Sequence, residues 1–331
     1  MNEGLTALLD RFPRARVAVL GDLVADEFVY GETERVSREA PVLVVRYETA
    51  ELKPGCAANA IANLCALGAQ VEAIGLVGGD DTGHKLRALL KAAGANDENI
   101  LEVPGATATK TRVLAGGKNT RRQQIVRIDR DGPGAPDPRL TQRLIQALNA
   151  SKCDAVLVSD YGLGLLVKPL VDAVRALAAQ GRTVCVDARY GLAQYRGVTL
   201  AKPNEVELEA AVGRAVKDDL EQAGRELLQN LEVRSLLVTR GRSGMALLRP
   251  NEPTTFVKVH GSADAVDVTG AGDTVMATTT LALAAGADPV EAMRLANVAG
   301  ALKVQKPGTA TVSQAELRAE LQRVQIARAE R

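Results

Sequence analysis

Eight consecutive residues, Asp267-Val268-Thr269-Gly270-Ala271-Gly272-Asp273-Thr274, join two backbone-freeing glycines to two carboxylates just ahead of the small-residue stretch 275–285. A helix starting there presents unpaired N–H groups and the positive end of its dipole, a setting suited to an anion. Asp273 stands at the same end. The field there favours its ionised form, and a hydroxyl attacking a phosphorus could lose its proton to it. Gly270, Ala271 and Gly272 are therefore expected to cradle a transferred phosphoryl group, with Asp273 as the base. The competing interpretation is a tight turn with Asp273 as helix cap. No G-x-x-x-x-G-K-[ST] occurs and no G-x-G-x-x-G follows a strand, which argues against a P-loop enzyme or a dinucleotide dehydrogenase.

Other chemistry has little to work with. Among 331 residues there are two histidines, His84 and His260, so Cys/His zinc sites and histidine-centred triads are nearly excluded. Cys56, Cys65, Cys153 and Cys185 form no C-x-x-C pair, which fits a reducing compartment. A net charge of +1, 2% aromatic residues and no Trp offer neither a field nor stacking platforms for nucleic acid. Residues 1–14 lack the apolar core of a signal peptide. No uncharged apolar run reaches the roughly 20 residues of a membrane span. A cytoplasmic enzyme without nucleic-acid or membrane partners is expected.

These residues need a scaffold. Short β-branched runs at 16–21, 71–77, 154–159, 183–187 and 235–239 alternate with helical patterns at 57–67, 83–93, 138–149, 167–180 and 218–230. Such alternation implies an α/β fold with a mostly parallel sheet covered on both faces. Residues 42–47 and 111–129 read as strands without intervening helices, with Gly116-Gly117 as a turn, and suggest a small antiparallel lid. Beyond Arg249 a further strand pair is expected, then helices from about Asp273, Pro289 and Ser313, the last with Glu316 in capping-box spacing.

The sequence D-V-T-G-A-G-D-T resembles the C-terminal signature of the ribokinase-like (PfkB) carbohydrate kinases. Other pieces follow in order. Gly21-Asp22 with Asp26, and Pro54-Gly55-Cys56-Ala57-Ala58-Asn59, are similar to the family's sugar-side segments, the latter to G-G-x-x-x-N with Cys56 where a second glycine is usual. Lys202-Pro203-Asn204-Glu205-Val206-Glu207 resembles the N-x-x-E motif, Thr239-Arg240-Gly241 the nucleotide-side T-x-G, and Asn297 with Lys306-Pro307-Gly308-Thr309 the loop bordering adenine. The similarity covers roughly residues 14–318. It implies a three-layer α/β/α kinase unit over 1–320, a β-lid from about 30–53 and 107–130, and a helical tail at 321–331. It further implies ATP as phosphoryl donor, Mg²⁺ held through water by Asn204 and Glu207, and a monovalent cation such as K⁺ near Asp267. Asp22, Asp26, Gly55 and Asn59 would bind the sugar. Thr239, Gly241, Asn297 and Gly308 would border the nucleotide. Residues 42–47 are apolar on both faces, and pairing of this lid segment with a second copy in a homodimer is also expected.

Within the family, residues 35–42, 109–113, 123–129, 159–161 and 195–197 are similar to kinases that convert a heptose 7-phosphate to the 1,7-bisphosphate. Lys110, Arg112 and Arg127 fall on the lid, where a phosphorylated sugar would want cations. Asp160 and Arg189 are the remaining substrate-side candidates. Two lysines of that pattern are missing: S-D-Y-A-K-G reads Ser159-Asp160-Tyr161-Gly162-Leu163-Gly164, and D-P-K-G reads Asp187-Ala188-Arg189-Tyr190-Gly191. The resemblance implies a stand-alone kinase without the nucleotidyltransferase domain of bifunctional relatives. A fructose- or ribose-type acceptor, or a catalytically silent sugar sensor on the same fold, are the alternatives.

Overall fold

The strand Arg16–Gly21 (β1) is buried on both faces, with Val17 and Val19 in one apolar cluster and Ala18 and Leu20 in another. That division follows from the two-residue repeat of a strand, and it makes β1 the centre of a sheet with a core on each side. The computed structural model describes residues 2–117, 122–217, 219–261 and 264–329. The further strands are β2 (Leu23–Val36), β3 (Leu43–Cys56), β4 (Gln70–Gly78), β5 (Asn96–Val103), β6 (Thr109–Gly116), β7 (Gln123–Arg130), β8 (Ala155–Asp160), β9 (Thr183–Ala188), β10 (Leu200–Ala201), β11 (Ser235–Thr239), β12 (Met245–Leu248) and β13 (Thr255–Val257). The helices are α1 (Asn2–Leu9), α2 (Ala57–Ala66), α3 (Asp81–Ala92), α4 (Pro138–Ala150), α5 (Lys168–Ala179), α6 (Glu205–Val212), α7 (Leu220–Leu231), α8 (Ala271–Ala284), α9 (Pro289–Val304) and α10 (Gln314–Ala329).

The main sheet has nine strands in the order β13-β12-β11-β10-β9-β8-β1-β4-β5. Its pairs are parallel except β11–β12 and β12–β13. Ile61 and Leu64 of α2, Leu86 of α3, Met276 of α8 and Leu317 and Leu321 of α10 fill one side, while Leu144 of α4, Val174 of α5, Leu208 of α6 and Leu227 of α7 fill the other. This is the expected three-layer arrangement. A separate four-stranded sheet, β3-β2-β6-β7, carries the segments expected as a lid.

Several boundaries differ from expectation. The antiparallel pair at the sheet edge straddles Arg249 rather than lying beyond it, because the turn between β12 and β13 contains Pro250 and Asn251, the latter at φ 58°. Residues 43–47 belong to a much longer strand, β3, which starts one residue later than expected, and β2 pairs with it over most of its length. Asp218, expected to open a helix, and residues 330–331 of the expected tail lie outside the described residues. Ser313 and Glu316 do cap α10: the Glu316 carboxylate accepts the Ser313 N–H at 2.9 Å, and Ser313 Oγ accepts the Glu316 N–H at 3.2 Å.

Candidate active site

Parallel strands gather chemistry at their carboxyl ends. Here β1 delivers Asp22, β8 delivers Asp160 and Tyr161, β9 carries Asp187, β10 leads into Lys202, and β11 ends on Thr239. The α8 N-terminus lies over the same edge. Gly270 caps that helix at φ 75°, and a Cβ there would meet the Asn59 amide nitrogen at 2.5 Å. Glycine is thus required twice over, for its conformation and for the approach of α2.

Asp273, in the first turn of α8, is buried. Its Oδ2 accepts from Asn59 Nδ2 at 2.7 Å, and its Oδ1 accepts from the Tyr161 hydroxyl at 2.7 Å. Burial pushes its carboxyl up to about 6, the nearby Asp187 charge adds to the rise, and the Asn59 and Tyr161 hydrogen bonds and the Lys202 charge oppose it. Burial thus works against the helix-end field expected to favour the ionised form. Asp22 is likewise raised to about 6 by burial, against the pull of the Tyr161 and Leu163 N–H groups that its Oδ2 accepts. Tyr161 consequently ties Asp22 and Asp273 together, one through its backbone and the other through its side chain.

The small sheet closes one flank. Asp26 and Lys110 are register partners across β2 and β6, as are Phe28 and Arg112, and Arg127 of β7 pairs with Arg112. Asp26, Lys110 and Arg112, spaced by two along their strands, share the inner face with Arg127. Arg112 donates to Asp26 at 2.7 Å. Gly55 permits this, since a Cβ there would lie 2.7 Å from the Asp26 carboxyl carbon. Lys110 reaches further in, donating to Cys56 Sγ at 3.2 Å with its ammonium 5.0 Å from the Tyr161 ring centre. Arg127 grips Asp129 through two exposed hydrogen bonds.

Other candidates sit apart from Asp273. Asp160 accepts from the Gly162 N–H and the Tyr195 hydroxyl, at 2.9 and 2.6 Å, and so shapes the turn that carries Tyr161. Arg189 opens on a surface cavity with Tyr190, Arg196 and Glu207 rather than joining Lys110 and Arg112. Asn204 and Glu207 form a reciprocal capping box on α6, both bonds at 2.8 Å, which occupies Asn204 Oδ1 and Glu207 Oε2. Among the described residues no group of three or more His, Cys, Asp or Glu could hold a metal. Glu207 Oε1 remains available for an ion that arrives with phosphates and keeps its waters, which is how magnesium usually binds. Thr239 bridges to Asn204, Gly241 turns at φ 50°, and the Asn297 amide donates to the Lys258 carbonyl at 2.8 Å.

Asp267 accepts from the Thr269 N–H at 2.9 Å and the Gly308 N–H at 2.7 Å. Burial pushes its carboxyl up, but these bonds and the Lys303 charge outweigh it and hold the group below its ordinary value.

Sequence reasoning assigned no role to Tyr161, Asp187 or Lys202. Lys202 and Asp187 form a buried ion pair at 3.0 Å. Burial pulls the lysine down, yet the Asp187 and Glu207 charges pull it up further, so it is held as an ammonium. A Cβ at Gly272 would lie 3.8 Å from its Nζ, which puts this charge beside the anion cradle. The signal that could have found all three is their shared place at or just after a parallel strand's carboxyl end.

A three-layer α/β/α unit with a small separate β-sheet beside the carboxyl edge of its parallel strands is the class of fold this chain has. The profile described as pfkB family carbohydrate kinase matches residues 14–316, and the chain belongs to that family. It is 40% identical over 324 residues to the bifunctional protein HldE of Desulfatibacillum aliphaticivorans, covering 96% of this chain and 65% of that protein. It thus spans about 65% of the length of the curated relatives it matches. In fold it is similar to Escherichia coli phosphofructokinase-2 in complex with substrates and products, at a TM-score of 0.77 and 21% identity, covering 94% of this chain and 99% of that one. It is also similar to an Arabidopsis thaliana ribokinase complexed with ribose and ATP, at a TM-score of 0.72 and 21% identity over 93% and 98% of the two chains. The chain is a carbohydrate kinase. Among the described residues no helix is long and apolar enough to cross a membrane.

Proposed function

We propose that the chain transfers the γ-phosphoryl group of ATP to a hydroxyl of a phosphorylated sugar, with heptose 7-phosphate as acceptor and heptose 1,7-bisphosphate as product. The observation that carries this reading is the buried Asp273 carboxylate at the α8 N-terminus, aimed by Asn59 and Tyr161, with Lys110 on its flank. Asp273 takes the acceptor proton as the oxygen attacks. Amides of the Gly270–Asp273 turn and the Lys202 ammonium stabilise charge on the moving phosphoryl group. Asp22 accepts hydrogen bonds from sugar hydroxyls, and Lys110 and Arg112 face the substrate phosphate. Magnesium bound to the triphosphate would neutralise part of its charge, with Glu207 holding it through water. Thr239, Gly241, Asn297 and Gly308 would border the nucleotide.

The heptose assignment is supported by the position of the resembling stretches: residues 109–113 carry Lys110 and Arg112, and residues 159–161 carry Tyr161. The missing lysines at Leu163 and near Arg189 favour the alternative of a fructose- or ribose-type acceptor. A screen of ATP, Mg²⁺ and heptose 7-phosphate against fructose, ribose and their phosphates decides between them by ADP release. The heptose should lead in kcat/KM by at least about tenfold; parity with a fructose or ribose phosphate would replace it. No sugar-dependent ADP release from any acceptor would favour the silent sensor.

In the same reading, residues 1–320 form the kinase unit and the segments at about 30–53 and 107–130, of which 118–121 lie outside the described residues, close over the sugar as a lid that excludes water. The expected tail from 321 starts inside α10, whose Leu321 still packs in the core. The lid also joins two copies in a homodimer. Its outer face carries the row Val29, Val113 and Val126, beside Ile128 one row on, with Val126 46% and Ile128 57% exposed. Use of ATP and free thiols in a reduced state is consistent with work in the cytoplasm.

A further inference from the structure

Lys303 of α9 is fully buried, although lysine is among the residues least often buried without compensation. Its Nζ donates to two main-chain carbonyls, Asp267 O at 3.1 Å and Lys306 O at 3.3 Å. These carbonyls belong to the two loops that frame the phosphate cradle. Asp267 begins the segment that runs into Gly270–Asp273, and Lys306 begins the loop whose Gly308 N–H is held by the Asp267 carboxylate. Carbonyl oxygens converging from two loops are what a potassium ion takes in place of its water. Here one positive charge already lies between them, covalently attached to α9. Where the sequence resemblance implies a dissolved monovalent cation near Asp267, the Lys303 ammonium already supplies the charge and takes the two carbonyls, while the Asp267 carboxylate is turned to the Thr269 and Gly308 N–H groups.

We propose that the Lys303 ammonium is a built-in monovalent cation, a positioning residue that locks the two loops and makes the nucleotide site independent of dissolved potassium. The inference rests on the reading of the Gly270–Asp273 turn as the ATP phosphate cradle. Because Lys303 acts through Asp267 and Lys306, its effect belongs to nucleotide affinity rather than to acceptor binding. A lysine that merely filled space would not confer a response to cations when removed.

The test is calorimetric titration of ATP with Mg²⁺ into the full chain in potassium chloride and in tetramethylammonium chloride, for the unaltered protein and for Lys303→Ala. The unaltered protein should give the same Kd within about twofold in both salts. Lys303→Ala should bind about tenfold more weakly in tetramethylammonium and recover most of that in potassium, which can enter the vacated space where the larger ion cannot. Tenfold tightening of the unaltered protein by potassium overturns the proposal. So does a variant that binds as well as the unaltered protein in both salts, or one equally weak in both. If the variant does not fold, the salt comparison on the unaltered chain decides alone. Absence of ATP binding by the unaltered protein in either salt would instead sink the nucleotide reading, and this proposal with it.

Discussion

The hydroxyl of Tyr161 donates to Oδ1 of Asp273 across 2.7 Å, while the Tyr161 N–H donates to Asp22. One residue at the end of β8 therefore sets the position of two carboxylates from opposite ends of the chain. Both carboxylates are buried and both are raised to about 6. A base whose proton affinity lies near the working pH is efficient, because it is mostly ionised yet still accepts a proton in the transition state.

Tyr161→Phe should retain the fold and lower kcat. The hydroxyl stabilises ionised Asp273, so its loss lets burial raise the carboxyl further. In the unaltered protein kcat/KM should rise with pH through about 6, as Asp273 loses its proton. In the variant the midpoint should move upward and the plateau fall by about tenfold. An unshifted pH profile would separate Tyr161 from the base.

Asp273→Asn should reduce turnover by about 10³-fold or more while ATP still binds. It should also stabilise the protein at neutral pH. Burial raises the folded-state value above the ordinary 3.8, so the folded protein holds this proton more tightly than the unfolded chain. The associated stability is complete below pH 3.8 and is lost as pH rises through about 6. An asparagine has no charge to bury, so the variant should gain up to about 3 kcal/mol at pH 8, with the gain shrinking towards pH 4. Urea titrations at the two pH values measure it; a variant less stable at pH 8 would contradict the burial argument.

Much of this site was legible in the sequence, and what was not has a physical cause. The G-A-G-D turn shows itself because glycine and aspartate at a helix start are a local signal. Strands β1, β8, β9 and β11 show themselves because burial on both faces makes them continuous apolar runs. Strand β2 stayed hidden because Asp26 and Phe28 share a face, so no clean alternation marks it. The motif around Asn59 points to the sugar side, but no local pattern shows that its amide also holds Asp273, a partner 214 residues away. Lys202 stands in the sequence only as the first residue of the segment that carries N-x-x-E. Its pairing with Asp187 depends on β9 and β10 being neighbours, and local pattern carries no such information.

That ion pair gives a further expectation. Lys202→Met leaves Asp187 buried without its partner and should cost about 3–5 kcal/mol. The double variant Lys202→Met, Asp187→Leu should recover most of the stability but none of the activity, because the positive charge beside Gly272 is gone. Denaturation and ADP-release assays on the same preparations test both halves; recovered turnover in the double variant would remove Lys202 from the phosphoryl site.

Cys56 occupies φ 54°, ψ −126°, a region that suits glycine. The strain is of the order of 1–3 kcal/mol for a residue with a Cβ. Cys56→Gly should therefore be more stable than Cys56→Ala by about 1 kcal/mol, despite the greater freedom of glycine in the unfolded chain. Equal midpoints for the two variants in urea would show that the surroundings impose no such strain. Loss of the thiol in either variant also frees Lys110, and a change in acceptor KM shared by both would trace to that contact.

The outer row of the small sheet supplies the last expectation. Register places Val29, Val113 and Val126 side by side across β2, β6 and β7, and Ile128 lies two residues from Val126 on the same face. The inner face of the same strands carries Asp26, Lys110 and Arg112. An apolar row behind a charged one has no role at the substrate, and water is a poor neighbour for it. Pairing with the same row of a second copy would bury it and support the sheet that holds Lys110. Val126→Asp with Ile128→Asp should convert a dimer to a monomer in light scattering at micromolar concentration, and raise the acceptor KM more than the ATP KM. A monomer before substitution would refute the pairing, and an unchanged dimer after it would move the interface elsewhere.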